Sequence, residues 1–326
     1  MKITLRRLAL IAQAITLFAY AAPASAADAY PSKPIRMVLG YPAGSGIDTV
    51  ARMVAQRMEK TLGHQVYVDN KPGALGNIAA QNVATSAPDG YSILFTPNSA
   101  PVANVFLFKK LPFDPVRDFT PVATVGTLGF VVLVNAEAGQ PNSLAELTAM
   151  LKKSPGKYSY GTGNATGQVA GALYTELAGV DALAVPYKGV PPAILDLIAK
   201  RVDFVMADAS LAIPQIKGKR VKGLAVTEGK RIPALADLPT MGEAGVAGYD
   251  LSGWFGVFMP AKAPPEITRL LEKTIRDIVS DPAMAASMQA IGVTPWIGGG
   301  ADLARAVATD TPKWGRIIQR AGIVAE

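Results

Sequence analysis

The 326-residue sequence contains no cysteine and one histidine, His64. Without thiols there are no disulfides, no thiolate metal sites and no cysteine nucleophile. A single histidine supplies no His-based metal cluster, and its place after Gly63, where a helix is expected to end, reads as a surface role. Aromatic residues make up only 7% of the chain and do not interleave with basic stripes. The lysines and arginines are scattered, which argues against a nucleic-acid surface. Long apolar runs are also scarce. The longest, Leu8 to Ala22, is about 15 residues, short of the roughly 20 a membrane span needs.

That run has a specific context. Lys2, Arg6 and Arg7 precede it and Ala24-Ser25-Ala26 follows it, the order of a secretory signal peptide with its cleavage site. Residues 1–26 are therefore expected to be removed on export to the periplasm. Their loss takes away three cations and lowers the formal net charge from +7 to +4. A modest positive balance favours solubility and weak attraction of anions. Half of the residues are apolar, enough for a conventional core, and the length suggests two domains.

What is present is an alternation of short apolar runs and helical patterns. Ile35–Leu39 reads as a strand, and Val50, Met53, Val54 and Met58 form one face of a helix capped at Asp48 or Thr49 and closed by Gly63. Val66–Val68, Ser92–Thr96, Val131–Val134, Tyr158–Tyr160, Phe204–Ala207, Val221–Val226 and Trp254–Met259 read as further strands. Helices are expected over 144–152, 168–177, 194–199, 265–280, 282–291 and 301–320. This alternation predicts parallel sheets covered by helices, an α/β fold.

Three loops join strand ends to helix starts: Pro42 to Asp48, Thr96 to Ser99, and Gly161 to Gly167. Open α/β sheets place ligands at this end of their strands. Glycines 44, 46 and 163 allow close backbone approach, and the following helices present unpaired N–H groups, so the loops suit an anion without a fixed cation. Ser45, Thr96, Ser99, Thr162, Asn164 and Thr166 add donors. Lys188, in Val185-Pro186-Tyr187-Lys188-Gly189, could attract a carboxylate that Tyr187 covers, or be a solvated turn residue. Tyr41 could wall the site or pack beneath it. Trp254 and Phe255 read as core.

Other chemistries fail on these residues. There is no G-x-x-x-x-G-K-[ST] loop, and after Gly161-Thr162-Gly163 the next glycine falls at 167, one place late for a dinucleotide fingerprint. A nucleophile elbow at Ser45 would need glycines where Ala43 and Ile47 stand. Asp48 and Asp208 could be imagined as an acid–base pair, but Asp48 is explained as a cap and Asp208 ends a strand alone. Neither a cofactor, a metal nor catalysis is expected.

Taken in order, the motifs resemble the receptors of tripartite tricarboxylate transporters, the Bug family. The resemblance runs through Tyr30-Pro31-Ser32-Lys33-Pro34-Ile35-Arg36, Pro42-Ala43-Gly44-Ser45-Gly46-Ile47-Asp48, Asn70-Lys71-Pro72-Gly73-Ala74, Ala87-Pro88-Asp89-Gly90-Tyr91 and Leu111-Pro112-Phe113-Asp114-Pro115. It continues through Ser154-Pro155-Gly156-Lys157, Val185 to Gly189, Leu224-Ala225-Val226-Thr227, Leu238-Pro239-Thr240 and Trp254.

The resemblance implies a periplasmic-binding-protein type II fold, two α/β domains with a ligand cleft between them. One domain would combine 27–128 with 250–326 and the other would be 129–249. It also implies a ligand carboxylate held by Ser45, Gly46, Asp48, Thr96, Asn98, Thr162, Asn164, Thr166 and Asp208, to which the loop reading adds Tyr41, Gly44, Gly163, Tyr187 and Lys188. The expected function is capture of a dicarboxylate, tricarboxylate or aromatic acid by a monomer that engages integral-membrane transporter subunits. A receptor signalling to a sensor kinase is the alternative, and an enzyme using the Gly161 loop a third. Ser45 and Ile47 replace a glycine and a threonine usual in the family's first loop. Asn164-Ala165-Thr166 stands where Gly and Ser are common, and Val169-Ala170 where a His-Leu pair is frequent, so the ligand itself is not implied.

Overall fold

The structure is a computed structural model that describes residues 30–249, 251–320 and 322–325. The expected signal segment, 1–26, lies outside the described residues. In chain order the elements are β1 (Ile35–Leu39), α1 (Gly46–Leu62), β2 (Val66–Asn70), α2 (Asn77–Ala84), β3 (Ser92–Pro97), α3 (Asn104–Leu107), β4 (Phe119–Leu128) and β5 (Phe130–Asn135). Then come α4 (Leu144–Lys153), β6 (Ser159–Thr162), α5 (Ala165–Ala178), β7 (Leu183–Pro186), α6 (Val190–Ile198), β8 (Phe204–Asp208), α7 (Ala209–Lys217) and β9 (Val221–Val226). The last are β10 (Gly253–Pro260), α8 (Pro265–Ser280), α9 (Pro282–Ala290), β11 (Val293–Pro295) and α10 (Gly300–Arg320).

Two sheets result, ordered β11-β4-β10-β3-β1-β2 and β7-β6-β8-β5-β9. Both are mixed, which corrects the expectation of parallel sheets. In the first, β10 runs antiparallel to β3 and β4; in the second, β5 runs antiparallel to β8 and β9. The reason is connectivity. Gly129 alone separates β4 from β5, so the chain passes directly from the end of an interior strand of one sheet to the start of an interior strand of the other. The return into β10 follows a longer connection, residues 227–252, after β9.

Thr227 ties the two passages together. Its hydroxyl accepts a hydrogen bond from the Phe130 N–H at 2.8 Å, and its own N–H donates to the Phe130 carbonyl at 2.9 Å. Its carbonyl accepts from the Leu251 N–H at 3.2 Å. Thr227 is fully buried, so these bonds lie where water does not compete for them.

Local start signals account for the helix boundaries. α1 begins earlier than the apolar spacing suggests, because Ser45 is the N-cap and accepts from the Asp48 N–H at 3.4 Å. Likewise α5 begins at Ala165, where Asn164 caps Gly167 N–H at 2.7 Å. In both cases a glycine-rich stretch that reads as loop is already the first turn. α6 starts at Val190, with Pro191-Pro192 in its first turn. β4, β11, α2, α3 and α7 were not signalled by pattern. β4 carries Pro121, Gly126 and three threonines, and α7 follows β8 with no intervening loop and contains Pro214.

The core is carried by Val38, Leu94, Val132, Val134, Phe204 and Phe258 from the strands, with α10 adding Leu303, Trp314 and Ile318. α10 packs against β4, and Trp314 is only 1% exposed. No helix among the described residues is long and apolar enough to cross a membrane. Trp314→Ala leaves a large cavity under α10 and is expected to cost about 4 kcal/mol, read as a lower denaturant midpoint at unchanged slope.

Candidate functional site

The cavity at the facing edges of the two sheets has a volume of about 260 Å³. From the first sheet it receives the loop after β1, the end of β3, Leu128 at the end of β4 and the start of β10. From the second it receives the loops after β6 and β7, Phe130 at the start of β5, and the β8–α7 junction. Every loop involved lies at the carboxyl ends of the parallel strands, as open α/β sheets require.

Eight of the fourteen residues expected from sequence line this cavity: Tyr41, Ser45, Gly46, Gly163, Asn164, Thr166, Lys188 and Asp208. Ser99, which the loop reading also offered as a donor, lines it too. The N-termini of α1 and α5 thus meet across the gap. The first two N–H groups of α1, at Gly46 and Ile47, have no protein partner among the described residues, and the same holds for Ala165 and Thr166 of α5. Two such ends turn the positive poles of both helix dipoles toward one small space, and Gly46, Ile47 and Thr166 line it.

Close packing makes the approach possible. A Cβ on Gly46 would lie 2.1 Å from the Ser210 hydroxyl and 3.8 Å from the Cβ of Asp208. A Cβ on Gly163 would lie 2.1 Å from the Val190 nitrogen and 2.2 Å from the Gly189 carbonyl carbon. That second contact is with main chain and cannot be relieved by a rotamer, so only glycine fits there.

Asn164 organises the second-sheet side. Its amide oxygen is committed to capping Gly167, which turns its amide nitrogen toward Asp208, where it donates to Oδ1 at 3.3 Å. Asp208 is 8% exposed, and burial pushes its carboxyl up to about 6, with the Asn164 bond opposing the shift. Tyr41 donates to the Ser99 hydroxyl at 3.1 Å. Burial pushes its phenol up to about 12; the Ser99 bond lowers it and the charge of Asp208 raises it, so it stays protonated.

The remaining expected residues stand off the cavity wall. Asp48 is occupied within its own loop: Oδ2 accepts from the Gly44 N–H and from Arg52 Nε, each at 2.9 Å, and Oδ1 accepts from Asn70 at 2.9 Å. Burial works against its charge, but these bonds outweigh it and hold the carboxyl below its usual range. Gly44 is exposed, in a left-handed turn. Thr96 donates to the Pro97 carbonyl, the Thr162 carbonyl accepts from the Tyr187 N–H, and the Tyr187 hydroxyl turns to Asp196 at 2.8 Å.

Asn98 is fully buried behind the wall. Its Oδ1 accepts from the Thr166 hydroxyl at 3.3 Å, a bond between an element of the first sheet and one of the second. Its Nδ2 has no protein partner.

Sequence reasoning missed the apolar lining. Pro97, Leu128, Phe130, Leu211 and Phe255 surround the polar patch. Leu128 and Phe130 flank the single-residue passage between sheets, and no local pattern marks such a passage. Phe255 reads as core and is only 3% exposed, yet it also forms a wall.

The raised carboxyl of Asp208 makes the empty protein pH-sensitive. Between its ordinary pKa of 3.8 and its folded value of about 6, the native state binds more protons than the unfolded chain. This carboxyl therefore removes stability as pH rises through that window. Asp208→Asn eliminates the effect. Its ligand-free stability relative to the parent is expected to climb by up to about 3 kcal/mol from pH 4 to 7 and level off above, measured by urea unfolding at each pH. A flat difference would refute the assignment.

Comparison with known proteins places the fold. BugT of Bordetella pertussis is 32% identical over 322 residues, covering 97% of this chain and 98% of BugT. The structure of R. palustris Rpa4515 with adipate superposes with a TM-score of 0.88 at 30% identity, covering 91% of this chain and 100% of that one. The periplasmic binding protein BugD gives 0.85 at 32% identity, with the same coverage. The two α/β sheets with a cavity between them are thus the two-domain fold of periplasmic binding proteins. Residues 50–323 match the tripartite tricarboxylate transporter family receptor as a family, and the chain belongs to that family.

Proposed function

We propose that the chain captures a small carboxylate anion in the cavity between its sheets and presents it to integral-membrane subunits of a tripartite-type transporter. The observation that carries this reading is the pairing of two helix N-termini, with partnerless N–H groups at Gly46, Ile47 and Thr166 among the described residues, at a small and mostly apolar cavity. Such an arrangement recognises an anion through main-chain donors and leaves the rest of the ligand to shape. The relative Rpa4515, 30% identical, is a structure with adipate, which agrees in ligand class.

In this reading the domains are 27–128 with 250–326 and 129–249, the protein is a monomer in the periplasm after removal of residues 1–26, and no bond is made or broken. Ser45, Gly46, Gly163, Asn164, Thr166 and Asp208 face the ligand, with Tyr41 as a wall and Lys188 at the exposed rim. Gly44, Asp48, Thr96, Asn98, Thr162 and Tyr187 act from behind, holding the loops in place. Ligand contacts to both domains favour the closed arrangement over an open one by their difference in affinity.

A thermal-shift screen across short dicarboxylates, citrate and aromatic acids tests the reading. Ligand at a hundredfold excess over Kd adds about 2.7 kcal/mol to native stability, several degrees in Tm. If no acid shifts the protein, and mass spectrometry finds no acid released on denaturing it, carboxylate capture is wrong. Thr166→Val removes the bond to Asn98 that joins the two sides. It is expected to weaken binding by about 1 kcal/mol, roughly fivefold in Kd by calorimetry, with little change in the contacts made to the anion.

A further inference from the structure

The cavity holds one feature that a plain carboxylate site does not need. Asp208 puts a carboxylate into the same polar patch as the anion donors: its Cβ is 3.8 Å from where a Cβ on Gly46 would be, and Asn164, the cap of α5, is bonded to it. Among the described residues no cation offsets it. Lys188 is the only basic residue of the lining among the described residues; it is exposed at the rim and does not act on the Asp208 carboxyl. Asn164 donates to Oδ1 and the residue's own backbone N–H also bonds the carboxylate, while Oδ2 accepts no side-chain hydrogen bond among the described residues. The adjacent Ser210 hydroxyl is buried without a partner.

A second negative charge beside this buried carboxylate would be repelled in a medium that screens poorly. A donor placed there would instead complete a charge-assisted hydrogen bond. Since Asp208 lies within reach of the same helix ends that hold the anion, that donor belongs on the carbon next to the ligand's carboxylate. The surrounding Pro97, Leu128, Phe130, Leu211 and Phe255 then face the remainder of the ligand, which is apolar.

We propose that Asp208 is the specificity-determining residue of this cavity, reading a hydroxyl or protonated amine at C2, so that the solute is an apolar 2-hydroxy or 2-amino monocarboxylic acid rather than a di- or tricarboxylate. This rests on the carboxylate-capture reading above and narrows it. Burial that raises the Asp208 carboxyl to about 6 still leaves it mainly ionised at neutral pH, as an acceptor must be.

The test uses two matched sets of acids that differ only at C2. One is 3-phenylpropanoate, 3-phenyllactate, phenylalanine and benzylmalonate; the other is 4-methylpentanoate, 2-hydroxy-4-methylpentanoate, leucine and isobutylmalonate. Calorimetry at neutral pH with the unaltered protein is expected to rank the hydroxy or amino member roughly tenfold or more tighter than the unsubstituted acid, with the malonate weakest. Asp208→Asn is expected to collapse that preference and to relieve the penalty on the malonate. The ranking in the unaltered protein needs no variant, so a variant that fails to fold does not block the test. A malonate that binds as tightly as the hydroxy or amino member, or a ranking that Asp208→Asn leaves unchanged, overturns the proposal. If both sets fail while dicarboxylates bind, the C2 assignment is wrong and carboxylate capture stands; if no acid binds at all, both fall.

Discussion

The arrangement of the molecule depends on how the chain passes between its two sheets. Gly129 gives no room for a connecting loop, and Thr227 bonds to Phe130 on the outgoing passage and to Leu251 on the return. The carboxyl ends of both sets of parallel strands are therefore held face to face. Loops that would be separate surface features in two independent domains become opposite walls of one cavity. The mixed strand directions follow from the same passages.

Given that frame, the site is built from backbone more than from side chains. In the proposed reading its recognition groups are the first N–H groups of α1 and α5, and the side chains nearby mostly set their positions. Asn164 does so with both ends of its amide, capping α5 and fixing Asp208. Asp48 does so in the first loop, where its oxygens gather Gly44, Arg52 and Asn70. A carboxylate there would ordinarily weaken an anion site, but this one is neutralised by Arg52 and stands off the wall.

The legible part of the sequence was local. Strands such as Ile35–Leu39 and Val221–Val226 announce themselves by apolar runs between turn residues, and α4, α8 and α10 by cap residues and apolar spacing. The glycine- and hydroxyl-rich loops pointed to an anion, and Ser45, Gly46, Gly163, Asn164 and Thr166 from them line the cavity. What stayed hidden is non-local. Nothing in Leu128 or Phe255 says that it borders a cavity, because that depends on strands paired across more than a hundred positions. Tyr187 shows the converse: it sits in the right loop, yet Asp196, nine residues on, offers its hydroxyl a nearer partner.

The central place of β10 in the first sheet governs the order in which the chain can fold. β10 lies between β3 and β4, so that sheet is incomplete until residues 253–260 have been made and inserted. The second sheet draws all its strands from one continuous stretch, 130–226, and has no such dependence. Contacts between segments close in sequence form faster than those that must close long loops. The second sheet can therefore close without the terminal segment, whereas the first keeps a gap between β3 and β4 until that segment is in place. The cavity, which takes Gly253 and Phe255 from β10, is complete only once that segment is in place.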